Sequence, residues 1–223
     1  MNQIYATKDS IVRFIKAINQ VKEGTFLCHQ TLTFGEYQFS EKKAKESLFR
    51  LLDAVRKRCP QIGVVYVTEI QETGNIHYHV LFFFFQDEHL PCAKEDLVSD
   101  FGGYVFKCWK KIQKGKVAKE ANEIRVHQKS ERTYGYFTQD LRPVFRPERE
   151  TRWWGIRNRE LFDKFGTKPD QKTALAEFWR LFPRGILRPY RKRPIQPFSL
   201  INEYVPIERL MTEFSFEPAR IAA

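Results

Sequence analysis

Residues 62–85, IGVVYVTEIQETGNIHYHVLFFFF, decide how the chain is read. Two runs rich in β-branched and aromatic residues, 62–70 and 76–85, flank QETGN, whose Gly-Asn pair marks a tight turn. The stretch predicts an antiparallel hairpin. Its second strand is built for burial, with almost no polar residue after Tyr78, yet it opens on His77 and His79. Strand side chains alternate faces, so both imidazoles lie on one side with Tyr78 on the other, and the pair can reach one divalent ion. The same spacing also suits two hydrogen-bonded histidines without an ion. A turn centred near Thr73 sets Glu69 beside His77 or His79 on the same face. A carboxylate buried between Val67 and Ile70 needs such a partner, whereas Glu72, in the turn, is expected to face solvent. Two imidazoles and one carboxylate, with coordination positions left open, suit a catalytic Mg²⁺ or Mn²⁺ better than a closed structural zinc.

Outward from the hairpin, TFLCHQTLTF (25–34) reads as a strand stopped by Gly35. SEKKAKESLFRLLDAVRKRC (40–59) reads as a helix with Ser40 as N-cap, because Leu48, Leu51, Leu52 and Val55 recur at amphipathic spacing and Pro60 lies beyond. A second helix is expected over 95–111, with Gly102-Gly103 as the place where it would split. IRVHQ (124–128) and RWWGI (152–156) read as strands, ERTYGYFTQDL (131–141) and KTALAEFWRLF (172–182) as helices. From Arg184 to Phe198 the chain is too rich in proline and cations for a regular element and reads as a basic tail. Strands interleaved with helices, one pair antiparallel, predict an α+β fold with helices packed on a sheet. The expected division is a main domain over 1–165, then a C-terminal helix and tail over 166–223.

Lysine and arginine outnumber aspartate and glutamate 38 to 27, a net charge of +11 that favours a polyanion, nucleic acid first. The four cysteines form no CxxC pair, so neither a zinc cage nor a disulfide framework is expected, and a reducing cytoplasm is the plain reading. The opening MNQIYATKDSIVRF has no apolar core of signal-peptide length, and VLFFFF is far too short to span a bilayer, so no membrane association is expected. No GxxxxGK[ST] occurs, which argues against an ATPase motor within these residues.

TYGYFTQD (133–140) adds a nucleophile. A tyrosine on a helix facing a bound ion can attack a phosphodiester, provided that a base or the ion activates a phenol whose ordinary pKa is near 10. On a helix Tyr134 shares an apolar stripe with Phe137 and Leu141, while Tyr136 shares a more polar side with Gln139 and Asp140. Tyr136 is therefore the preferred nucleophile and Tyr134 the alternative.

TLTF on a first strand, GNIHYH on a later one with an upstream glutamate, and the tyrosine of YFTQ on a following helix resemble the HUH endonucleases. Within that superfamily the chain looks most like the rolling-circle replication initiators of plasmids and filamentous phages, over about residues 25–160. The resemblance implies a five-stranded antiparallel sheet with flanking helices. It implies His77, His79 and Glu69 as ligands of Mg²⁺ or Mn²⁺, and a tyrosine that nicks single-stranded DNA through a 5′-phosphotyrosine link. Members usually carry a lysine three residues after that tyrosine, where Gln139 stands here. The implied partners are single-stranded or hairpin origin DNA and, in a bacterial cytoplasm, a host helicase and polymerase. Arg132 and Arg142, with Arg191, Lys192 and Arg193 of the tail, are candidates for phosphate contacts. A transposase built on the same core is the nearest rival. A non-catalytic origin-binding protein is the rival from another class.

Overall fold

The computed structural model describes residues 8–36, 40–70, 75–117, 122–128, 154–168 and 171–181. The hairpin forms as expected: β2 (Ile62–Ile70) and β3 (Ile76–Phe84) pair antiparallel from Ile62 opposite Phe84 to Ile70 opposite Ile76. On its other side β3 pairs antiparallel with β1 (Phe26–Thr33). β4 (Ile124–Gln128) adds to β1 and β5 (Trp154–Arg157) adds to β2. The result is one five-stranded antiparallel sheet in the order β4-β1-β3-β2-β5. β1 and β2 thus run parallel with β3 between them, and the helix α2 (Glu41–Arg58) makes the crossover.

β3 is buried along its whole length because helices cover both faces of the sheet. On one face Tyr78, Val80, Phe82 and Phe84 pack with Leu48, Leu51 and Val55 of α2 and with Val105 and Trp109 of α3 (Gly103–Ile112). On the other, Leu81 and Phe83 meet Phe14, Ile15 and Ile18 of α1 (Lys8–Asn19) and Phe162 of α4 (Arg159–Phe165). α5 (Gln171–Leu181) lies along α1, where Ala174 is buried in that second layer and Lys16 Nζ donates to Gln171 Oε1 at 2.9 Å. A strand buried on both faces reads as a continuous apolar run rather than an alternating one. That accounts for VLFFFF.

Three differences from the sequence reading have physical causes. α1 and α4 were not expected; their apolar residues are few, and only the sheet's second face gives them something to cover. The helix expected over 95–111 is not split at Gly102-Gly103. Its winding changes there instead: a 3₁₀ turn at Lys94–Asp96 leads into a π-helical segment, Leu97–Gly102, and then α3. A Cβ on Gly102 would stand 2.3 Å from Ile124 Cδ1, so the glycine lets this wider turn lie against β4. In β5, Gly155 similarly admits the Tyr66 ring, whose hydroxyl oxygen lies 2.3 Å from where a Cβ would be. The expected helix over 131–141, Arg152 and Trp153 of RWWGI, and the basic tail lie outside the described residues.

Ser40 caps α2 as expected, its hydroxyl oxygen accepting from the Lys43 amide. In urea unfolding, Ser40→Ala should cost about 1 kcal/mol of stability. Phe82→Ala, which removes a fully buried ring 5.3 Å from that of Phe101, should cost about 3–5 kcal/mol with little change in the denaturant slope.

Candidate metal centre

The second face of the sheet changes character at one end. Leu81 and Phe83 are apolar, but the next residues of β3 with the same parity are His79 and His77. Both are buried, at 7% and 8% exposure, and their Nε2 atoms meet at 3.0 Å with the rings nearly perpendicular, at 81°. Two nitrogens this close either share one N–H or hold one ion between them. The separation fits an ion: two bonds of about 2.1 Å at right angles put their donors about 3.0 Å apart.

A third histidine completes the group. His29 of β1, 2% exposed, places its Nε2 3.0 Å from Nδ1 of His79. Its Cα partner across the ladder is Leu81, so His79 is its diagonal neighbour on the same face. His79 is therefore engaged at both ring nitrogens, by His77 on one side and His29 on the other. His29 was not singled out in the sequence. Its parity with Thr31 and Thr33 was visible there, but its closeness to His79 depends on a β1–β3 register that no local pattern sets.

The register also places the other expected pieces. Glu69 is the Cα partner of His77 across β2 and β3, which decides between the two histidines it was expected to adjoin. Its side chain lies outside the described set. Thr31 and Thr33 of TLTF are the Cα partners of His79 and His77. Among the described residues, no three histidine, cysteine, aspartate or glutamate side chains converge on one point, because His29 meets His79 at the nitrogen remote from His77. Tyr134, Tyr136, Arg132, Arg142, Arg191, Lys192 and Arg193 fall outside the described residues.

The site end of β1 is braced from behind. Gln30, 1% exposed, donates through Nε2 to the carbonyls of Asn122 and Glu123 at 3.0 and 3.1 Å. The Thr33 amide donates to Asn122 Oδ1, the Thr31 amide to the Glu123 carbonyl, and Trp109 Nε1 to the Thr33 carbonyl. These bonds fix the strand that carries His29 against the segment leading into β4.

Residues 27–144, more than half of the 223-residue chain, match the family model for the replication-associated protein ORF2. The match takes in His29, Glu69, His77, His79 and both tyrosines of TYGY. No curated protein matches the chain. Among the described residues no helix is long and apolar enough to cross a membrane.

Gln30→Leu tests the brace. It leaves two buried carbonyls without their side-chain donor and should cost about 1–3 kcal/mol. Hydrogen exchange should quicken at the Thr31 and Thr33 amides and stay unchanged at Val80 and Phe82.

Proposed function

The chain belongs to the replication-associated protein ORF2 family, and from that premise we propose that it initiates replication by nicking one strand of origin DNA. The observation that carries this reading is the 3.0 Å meeting of His77 and His79 Nε2 on a buried central strand, with Glu69 opposite His77 in the register. In the proposed centre His77 and His79 hold Mg²⁺ or Mn²⁺ and Glu69 is the third ligand. When bound, the ion would polarise the scissile phosphodiester and offset charge developing on its oxygens. The phenol oxygen of Tyr136, or in the alternative Tyr134, attacks the phosphorus and gives up its proton to a base or to solvent. The bond from phosphorus to the 3′ oxygen breaks, and that oxygen takes a proton to become the 3′ hydroxyl that a host polymerase extends. Tyrosine is left esterified to the 5′ phosphate. A later 3′ hydroxyl attacks this ester and displaces the tyrosine, so resealing needs no ATP. Arg132, Arg142 and the cations at 191–193 would contact the DNA backbone, and the net charge of +11 favours that association. Unwinding falls to a host helicase in the cytoplasm of a bacterial cell.

The test incubates the full chain with Mn²⁺ and a labelled single-stranded origin oligonucleotide, and looks for an adduct that survives denaturation. Tyr136→Phe should abolish the adduct and Tyr134→Phe should not; the reverse result moves the nucleophile to Tyr134. An adduct that survives in both variants excludes either residue. Chelation and His79→Ala should each slow nicking more than about 100-fold, as expected from losing several kcal/mol of charge stabilisation, while DNA binding changes far less. Binding without any nick or adduct would favour a non-catalytic origin-binding protein.

A further inference from the structure

We propose that His29 is a positioning residue for the metal centre: its Nε2 accepts the Nδ1–H of His79 and so selects the tautomer in which His79 Nε2 carries a lone pair. The inference rests on the metal-binding reading above. A neutral imidazole has one N–H, and a ring nitrogen can ligate an ion only without it. If the hydrogen of His79 sat on Nε2 it would point at His77 Nε2, 3.0 Å away, and close the place where both rings can meet an ion. With the hydrogen on Nδ1, that place is open.

What decides between the two is the group facing Nδ1, which is His29 Nε2 at 3.0 Å. His29 is 2% exposed, so bulk water has little access to take its place. Its backbone is fixed by the β1–β3 ladder and by the brace from Gln30, so the acceptor is delivered by strand register rather than by a loop. The same geometry separates its role from that of a ligand, because His29 approaches His79 at the nitrogen remote from His77. Partners of this kind fix ring orientation and raise ligand basicity, and their loss typically weakens metal affinity about 10–100-fold.

The experiment measures Mn²⁺ affinity of the full chain, from the electron paramagnetic resonance signal of unbound Mn²⁺, without DNA or turnover. His29→Leu, which fills a similar volume but accepts no hydrogen bond, should weaken binding about 10–100-fold. His29→Gln, whose amide oxygen can accept from Nδ1–H, should stay within about threefold of the parent. In the unaltered protein without metal, ¹⁵N resonances should show the His79 hydrogen on Nδ1; finding it on Nε2 overturns the proposal whether or not the leucine variant folds. Parent-like affinity in His29→Leu, or equal loss in leucine and glutamine variants, also overturns it. His77→Ala and His79→Ala serve as the reference. If neither weakens Mn²⁺ binding, the metal centre itself is wrong; if both do and His29→Leu does not, only the role of His29 falls.

Discussion

Burial of β3 on both faces is the constraint on which the rest depends. A central strand with helices above and below has no solvent to satisfy a polar side chain, so any such group must find its partner within the protein. His77 and His79 bring that desolvation cost onto the strand, and the chain offsets it with neighbouring imidazoles: His79 bonds His77 through one ring nitrogen and His29 through the other. The three rings come from two adjacent strands, 48 to 50 residues apart in sequence.

The two faces of β3 are unequal, and the inequality places the site. The face with Tyr78, Val80, Phe82 and Phe84 stays in the larger apolar layer throughout, down to Ile76 at the start of the strand. The opposite face is apolar only through Phe83 and Leu81 and then turns to imidazole. One side anchors the strand while the other presents donors. A shift of the β2–β3 pairing by one residue would exchange the faces and put Phe82 where the second layer needs Leu81. Register is therefore held by the same apolar side chains that keep Glu69 opposite His77.

The parts of this arrangement that local pattern controls were legible in the sequence. The hairpin followed from two apolar runs and a Gly-Asn turn, and the cap of α2 from Ser40 ahead of a leucine stripe. The pairing of Glu69 with a histidine followed from turn length and parity alone, since both lie within a few residues of the same turn. His29 did not, because it reaches His79 only through pairing between strands separated by α2 and β2. The π-helical segment is another contact of this kind: Gly102-Gly103 announces a break in winding, but Ile124, more than twenty residues on, determines what the glycine is for. α1 was missed for a related reason. Val12, Ile15 and Ile18 recur with helical spacing, but their partners, Leu81 and Phe83 among them, belong to strands much later in the chain.

Placing donors on strands rather than loops has a consequence for how the proposed centre would operate. Ladder hydrogen bonds, two apolar layers and the Gln30 brace all act on β1 and β3, so the imidazoles are ordered by folding itself rather than by the arrival of an ion or a DNA strand. Ordering cost is then met once, in the folded state, and binding need not repeat it. A neutral His79 still has two possible hydrogen positions, which backbone rigidity cannot choose between. That choice falls to whichever atom stands at Nδ1, and the strand register puts a histidine nitrogen there. Backbone pairing thus sets where the ligands stand, and a neighbouring ring sets which of their atoms can bind.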